Sequence, residues 1–476
     1  MTLYLPLKGG GGERSEAGGG PSLRTDPHQI ACGDRSPPFR GRKEFGDELE
    51  KMSVSTFIVP LKDRSATDPD RVGPKAANLA KLTHAGLPTP GGFCITADAY
   101  RRQIQHLGLI DALREYPNAD QPTQRRLAVE IRLKLYQSDL APDLLADILT
   151  AWWEEPKPAA VRSSALIEDR ADTNFAGQFE SFLGVNDDTE FLTTLRACWA
   201  ALWTTNARRY MAQHDLDPAD TAMAVLVQPL VAARASGGGL SETADGHMLL
   251  SATWGLGSAI AQGEVVPDRV VLSRHGFLRS NEAGRKHHRE ACVHGAGTLP
   301  QAVPEEMVSA PCLEAGEATT LGRLMRKAED VLGMPVEIEW ALDDVGFKLL
   351  QARPLRVAEP HVTDEIWLKH PGLNGHPAGI GWGSGRAVVV NCECELSRVA
   401  PGDILVTRVA GPALSHILPR VAGVVAELGG STSHLASLAR ERGIPMVLGV
   451  LDATRKIPDG AQVAVDGVAG VVRWLA

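Results

Sequence analysis

No two cysteines stand as a CxxC pair, and the seven present, Cys32, Cys94, Cys198, Cys292, Cys312, Cys392 and Cys394, are scattered and odd in number. That pattern argues against a disulfide framework and against a zinc site, and it fits a reducing cytoplasm. Cys392 and Cys394 flank one residue; in a strand both thiols would share a face, and they read as ordinary strand residues rather than a metal pair. No stretch of the sequence reaches the roughly 20 apolar residues of a membrane span, and the N-terminus has no apolar signal core, so the expected location is the cytoplasm, off the membrane. Basic charge is in deficit: 58 acidic residues against 49 basic ones leave a formal charge of -9. A broad nucleic-acid-binding surface is therefore not expected. Nor does any segment recur at a fixed period.

What is present is the material for several packed cores. The 476 residues exceed one ordinary domain, and 43% hydrophobic with 22% charged residues is globular composition. Residues 1–51 are rich in Gly, Arg, Ser and Pro and have almost no periodic apolar pattern, so they are expected to be disordered. Met52 opens directly into the apolar run Phe57-Ile58-Val59, which points to Met52 as the natural start; a basic regulatory arm is the weaker alternative. From 52 to 358, helical stretches at 76–85, 124–137 and 191–213 mix with apolar runs at 224–228 and 247–251, giving a large α/β or α+β domain. Residues 359–380 are rich in Pro, Gly and His and read as a linker. Beyond it, 381–476 reads as a compact α/β domain with strands at 385–390, 403–407, 421–426, 445–449 and 462–465.

Four separated segments make sense together as a nucleotide site. Gly73 and Pro74 break the chain just before Lys75, whose ammonium could neutralise phosphate oxygens beside a helix N-terminus, or could simply be a surface helix residue. An apolar strand runs into Arg162-Ser163-Ser164, and Phe175-Ala176-Gly177-Gln178 forms a turn whose amides could approach phosphate. Arg162 could equally salt-bridge to Glu168 or Asp169. In EIEWALDDVGFKLLQARPL two strands meet at a turn over 343–346. Period-two alternation puts Glu337 and Glu339 on one face with Gln351 and Arg353, leaving Ile338, Trp340, Leu350 and Ala352 opposite. Glu339 and Gln351 suit an oxygen-seeking cation such as Mg2+ carrying ATP phosphates, and Arg353 suits the transferring phosphoryl group. A solvent-facing polar strand would show the same alternation.

These segments resemble the ATP-grasp nucleotide-binding domain of the pyruvate phosphate dikinase and phosphoenolpyruvate synthase family, which includes rifampin phosphotransferase. The likeness covers 72–356 in order. It implies that Lys75, Arg162, Glu339, Gln351 and Arg353 meet ATP or its metal, beside the turn amides around Gly177, and that Gln228 and Leu230, in AVLVQPLV, lie near the adenine. Ser258, in TWGLGSAIAQG, stands where that family has Glu, which removes one carboxylate from beside the nucleotide.

The strongest single signal is Glu427-Leu428-Gly429-Gly430-Ser431-Thr432-Ser433-His434, followed by ARERGIPMVLG, where a strand, a glycine turn and a helix meet. Gly429 and Gly430 permit positive φ, Thr432 or Ser433 could cap the helix, and His434 falls in its first turn. Near its unperturbed pKa of about 6.5, an imidazole is substantially neutral in the cytoplasm and can attack phosphorus, while helix amides would receive the phosphate. A histidine that merely caps or packs the helix is the bland reading. The segment 381–474 resembles the swivelling phosphohistidine domain of the same family. The resemblance implies that His434 is the phosphoryl acceptor, with Thr432 and Arg440 as candidate phosphate contacts, although Arg440 might instead pair with Glu427 or Glu441. The pair His287-His288 reads as surface.

Neither the C-terminal barrel of phosphoenolpyruvate-forming relatives nor the inserted antibiotic domain of rifampin phosphotransferase is recognisable, so the acceptor site is expected elsewhere, on a partner subunit or in the cleft. The reading is an ATP- and Mg2+-dependent phosphotransferase that phosphorylates its own His434, yields AMP and phosphate, and serves an unidentified acceptor. A regulatory phosphohistidine carrier and a degenerate nucleotide-binding module are the alternatives.

Overall fold

The computed structural model describes residues 56–168, 179, 181–293, 297–357, 367 and 369–475. The tract 1–51, Gly177 and much of the 359–380 linker lie outside them. Ser55–Ala476 forms one compact unit built on three large sheets.

The first sheet is antiparallel throughout, in the order Ile58–Pro60, Phe93–Ile95, Met223–Pro229, Ala159–Ala165, Ser181–Val185. Its central strand, Met223–Pro229, is buried on both faces because alternate residues serve two cores. Met223, Val225 and Val227 meet a helical layer that includes Ile131, Ile148, Trp152 and Phe191. Leu226 points the other way, toward Val72, Leu79 and Leu82 of the helix Pro69–His84. The stretch 191–213, expected as one helix, is two: Asp188–Ala201 and Thr205–Gln213. Thr204 interrupts it by capping the second helix, its hydroxyl accepting from the amide of Ala207 at 3.3 Å, a geometry worth about 1 kcal/mol.

The second sheet, also antiparallel, runs Phe347–Pro354, Val336–Leu342, Ala235–Leu240, His247–Trp254, Asp268–Ser273, Leu278–Glu282. One face packs on Pro69–His84 and on the helix Ala315–Leu332, with Trp340 fully buried among Met248, Leu250, Met325 and Leu349. The hairpin has the expected turn, but its register slips between Glu339 and Trp340. Trp340 therefore faces Leu349, and Leu349 rather than Leu350 enters the core. Such a bulge is invisible to strict alternation.

The third sheet has eight strands. Trp382–Val390, Ile404–Thr407, Gly423–Ala426 and Met446–Leu448 are parallel neighbours, flanked on one side by antiparallel Gln462–Asp466 and Val471–Trp474. Two short edge strands, Gly372–Asn374 and His376–Pro377, pair with Val471–Trp474 and Met446–Leu448. They come from the segment read as linker; Gly and Pro at a sheet edge conceal a strand from pattern reading. The parallel strands deliver their following loops to a common end, and the loop after Ala426 leads to His434 at the start of the next helix.

Two cysteines differ from expectation. Cys392 and Cys394 lie just beyond Val390, where the chain enters a 3-10 turn at Glu393–Arg398, and they are joined as a disulfide. Leaving the strand brings their Cα atoms to 5.4 Å, closer than the roughly 6.6 Å of alternate residues in a strand. Among the described residues no helix is long and apolar enough to cross a membrane.

Candidate active site

The polar face of the second sheet gathers the charges. Glu339 lies directly across from Gln351 and Glu337 from Arg353, so the hairpin presents two carboxylates, an amide and a guanidinium on one surface. Gln351, Glu337 and Arg353 are buried; Glu339 keeps a side-chain exposure of 35%. Arg162, from the first sheet, reaches across to Glu339 at 3.1 Å. Its expected local partner, Glu168, is engaged elsewhere: one oxygen accepts from the amide of Ala165 at 2.8 Å and the other lies 3.3 Å from the Lys75 ammonium. Lys75 follows the kink at Gly73, donates to the carbonyl of Ser163 at 2.8 Å, and is 12% exposed, so it is no surface helix residue.

His434 comes to this surface from the third sheet. Ser433 caps the helix His434–Arg442, accepting from the amide of Ala436 at 3.2 Å. Of the two glycines, only Gly429 uses a positive φ, +99°. Gly430 is small for another reason: a Cβ there would lie 2.4 Å from Pro267 of the second sheet's side of the cleft. Thr432 is not a cap. It rests on the backbone of Gly238, where a Cβ would come within 2.5 Å of the threonine Cβ, and Gly238 is the cross-strand neighbour of Glu339. Burial pushes the imidazole of His434 below its ordinary pKa; Glu339 and Glu337 oppose the shift, while Arg353 and Lys75 reinforce it. The ring is thus neutral and within electrostatic reach of four of the charged site groups.

Arg440 does not pair with Glu427 or Glu441, and it does not open onto the cleft. Its guanidinium holds the carbonyls of Ser431 and Ala378 and reaches Glu337 at 2.8 Å. Glu337 also accepts from Ser437 at 3.0 Å and lies 3.1 Å from Arg353. Burial raises its pKa, but the two guanidiniums outweigh that and hold it at about 2. Glu427 instead accepts from the amide and hydroxyl of Thr454. Glu441 accepts from Tyr210 at 2.5 Å and sits 3.3 Å from His214, a second contact between the two halves.

Gln228 and Leu230 lie at the end of the central strand that flanks Arg162; the Gln228 amide nitrogen donates to the carbonyl of Gly91 at 3.0 Å. Ser258 is hydrogen-bonded to a carboxylate from another strand. Its hydroxyl donates to Glu290 at 2.6 Å, supplied by the strand His288–Val293, which sequence reading did not single out. His287 is exposed, and His288 is half-buried with its ring 3.3 Å from Glu264.

Among the described residues, the buried Nε of Arg162 and the buried hydroxyls of Ser431 and Thr432 find no hydrogen-bond partner. Donors without partners beside Lys75, Arg162 and Arg353 fit a phosphate-bearing ligand. Among the described residues no group of three or more His, Cys, Asp or Glu side chains forms a metal cage. The oxygens of Glu339 and Gln351 instead fit Mg2+ shared with phosphate, which takes one or two protein ligands and completes its shell elsewhere.

Comparison with known proteins decides the family. Residues 69–367 match the pyruvate phosphate dikinase AMP/ATP-binding domain, and 399–470 match the mobile domain of phosphoenolpyruvate-utilising enzymes. The chain belongs to the pyruvate phosphate dikinase and phosphoenolpyruvate synthase family. It is 31% identical to the phosphoenolpyruvate synthase of Pyrococcus furiosus over 87% of this chain and 58% of that protein. With the Aeropyrum pernix enzyme of the same name identity is 33%, over 84% of this chain and 56% of the other. With the Escherichia coli enzyme it is 31%, over 89% and 58%. The chain therefore spans less than two thirds of the length of these relatives. Within the family match, the nucleotide-binding domain holds Lys75, Arg162, Glu339 and Arg353, and the mobile domain holds His434.

Proposed function

We propose that this chain is an ATP-dependent dikinase-type phosphotransferase that phosphorylates its own His434 and then passes the phosphoryl group to an acceptor. The observation that carries the reading is the seat of His434: a neutral imidazole within electrostatic reach of Lys75 and Arg353, on the face where Arg162 pairs with Glu339. The neutral ring has the lone pair that attack requires. Following the resemblance, it attacks the β phosphorus in line, the bond to the AMP oxygen breaks, and water then takes the terminal phosphoryl group as orthophosphate. Lys75, Arg162 and Arg353 exchange their carboxylate partners for phosphate oxygens and offset charge in the transition state. Ser431 and Thr432 donate their hydroxyls to the same oxygens. Mg2+, held by Glu339 and Gln351, would neutralise phosphate charge and orient the chain of phosphates.

Gln228 and Leu230 are assigned to the adenine end, and Gly177 to the phosphates. The mobile domain must leave this seat to deliver its phosphate, a motion on the microsecond-to-millisecond scale or slower. The name that the relatives share makes phosphoenolpyruvate the candidate product and its precursor the candidate acceptor. Incubating the pure protein with ATP and Mg2+ tests the reading. AMP and acid-labile protein-bound phosphate are expected from wild type, and no protein-bound phosphate from His434→Ala; no product from wild type would refute it.

A further inference from the structure

The cysteines whose side chains the structure describes fall into two groups. Cys94, Cys198 and Cys312 are buried, and burial pushes the thiols of Cys94 and Cys312 up, which keeps them protonated and unreactive. Cys392 and Cys394 are exposed, together with Asn391 and Glu393, and their sulfurs are joined. The link is no staple for the fold. The stability that a cross-link adds grows with the length of chain it closes, and here a single residue, Glu393, lies between the two cysteines. The loop is held by other means. At its start the amide of Asn391 donates to Glu395 at 2.8 Å. At its end Arg398 donates to the carbonyl of Val389 at 3.1 Å and to Asp459 at 2.7 Å, while Leu396 and Val399 are buried. None of these contacts passes through sulfur. The chain around the pair therefore keeps its course when the S–S bond opens, and the opened thiols stay close enough to join again.

From the exposure, the short span and the scaffold that does without sulfur, we infer that Cys392 and Cys394 form a reversible thiol–disulfide exchange site on the mobile domain, whose substrate is a dithiol. One sulfur of the dithiol attacks as thiolate, the bond between Cys392 and Cys394 breaks, and the departing sulfur keeps the electron pair and takes up a proton. The second sulfur of the dithiol then attacks the mixed disulfide, and the remaining cysteine leaves and is protonated in turn. Two electrons and two protons have passed to the pair, and the reductant departs as a disulfide; an oxidised dithiol runs the same steps backwards. Charge selects the partner. Glu393 stands exposed between the two cysteines, and the one cation of the loop, Arg398, is engaged with Asp459. A dithiol without negative charge beside its sulfurs is the favoured class. The inference goes beyond the proposed function and does not depend on it.

The test equilibrates the full chain with graded mixtures of reduced and oxidised dithiothreitol, traps thiols by alkylation, and locates the label by mass spectrometry. Cys392 and Cys394 should gain and lose label together and reversibly, as one two-electron couple, with the melting temperature little changed. Cys94, Cys198 and Cys312 should take label only after denaturation. In Cys394→Ser, and likewise in Cys392→Ser, the remaining thiol should be labelled in every mixture, because it has no neighbour to close on. Reduction by an anionic dithiol, dimercaptopropanesulfonate, should speed up as salt is added while reduction by neutral dithiothreitol does not, and Glu393→Gln should shrink that salt effect. A pair labelled in every mixture, a pair that stays closed in fully reduced dithiothreitol, or a domain that unfolds when the pair opens would overturn the inference. Equal salt responses for the two reagents would overturn the class of partner assigned to it.

Discussion

The two halves of the site are prepared differently. The nucleotide-binding half holds its cations in ion pairs: Lys75 with Glu168, Arg162 with Glu339, Arg353 with Glu337. The mobile half brings to the cleft a neutral imidazole and two hydroxyls without partners among the described residues. A paired cation is already held in place and needs a stronger anion to draw it away, so that half responds to ligand. An unpartnered hydroxyl or a neutral ring acquires its role only on arrival, so that half responds to position. Substitutions in the first half should therefore affect chemistry and nucleotide together, and those in the second should affect seating while leaving the nucleotide largely alone.

The largest effect should come from the first half. Arg353→Met removes the cation opposite Glu337, and single-turnover phosphohistidine formation should fall by about 100- to 1000-fold, the usual cost of one preorganised charge donor. A loss below tenfold would mean that the pairing with Glu337 is structural only. Lys75→Met comes next: losing one charge-assisted bond of roughly 1.5–3 kcal/mol should weaken ATP binding about 10- to 100-fold, measured by calorimetry. An unchanged affinity there would break the contrast between the halves.

Acidification should act on the seating. His376, on an edge strand of the mobile domain, is buried, and a Cβ on Gly449 would touch both its ring and Val266 of the nucleotide half. Burial lowers its pKa from 6.5 to about 4; Arg269 reinforces the shift and Asp268 opposes it. Burial pushes His434 in the same direction. In both cases the separated state binds the proton more readily. Seating is therefore fully favoured above the ordinary pKa of 6.5 and is lost as pH falls toward about 4, by at most about tenfold per pH unit for each histidine. Small-angle scattering across that window should show opening on acidification; closure would reverse the sign of the argument.

The smallest effect belongs to the outer contact. Glu441→Gln weakens the bonds to Tyr210 and His214, a loss of about 1 kcal/mol, and should lower the seated fraction several-fold while ATP affinity stays put. A matching loss of ATP affinity would place Glu441 in the nucleotide site instead.

The hairpin and the histidine loop were the most legible parts of the sequence, for the same reason: each writes its function into a short local pattern. Alternation put Glu337, Glu339, Gln351 and Arg353 on one face, and Gly-Gly-Ser-Thr-Ser-His announced a turn into a helix. What stayed hidden depends on distant partners. The bulge that exchanges Leu350 for Leu349 is set by the core it packs against, and the edge strands at Gly372–Asn374 and His376–Pro377 exist only through their neighbours. Arg440 looked like a phosphate ligand because its partner Glu337 lies 103 residues away. Gly430 looked like a turn residue, although its smallness answers to Pro267 across the cleft. The carboxylate that meets Ser258, on Glu290, comes from a strand that no local pattern ties to it.

One labelling experiment bears on all of this. Pure, Mg2+-loaded protein is given ATP labelled separately at the β and γ phosphorus, and the protein-bound label is mapped by mass spectrometry of base-stable peptides. The account predicts β label on His434, with AMP and γ label released as orthophosphate. Label on His434 from the γ position, label on another residue, or a protein that stays unlabelled would contradict it.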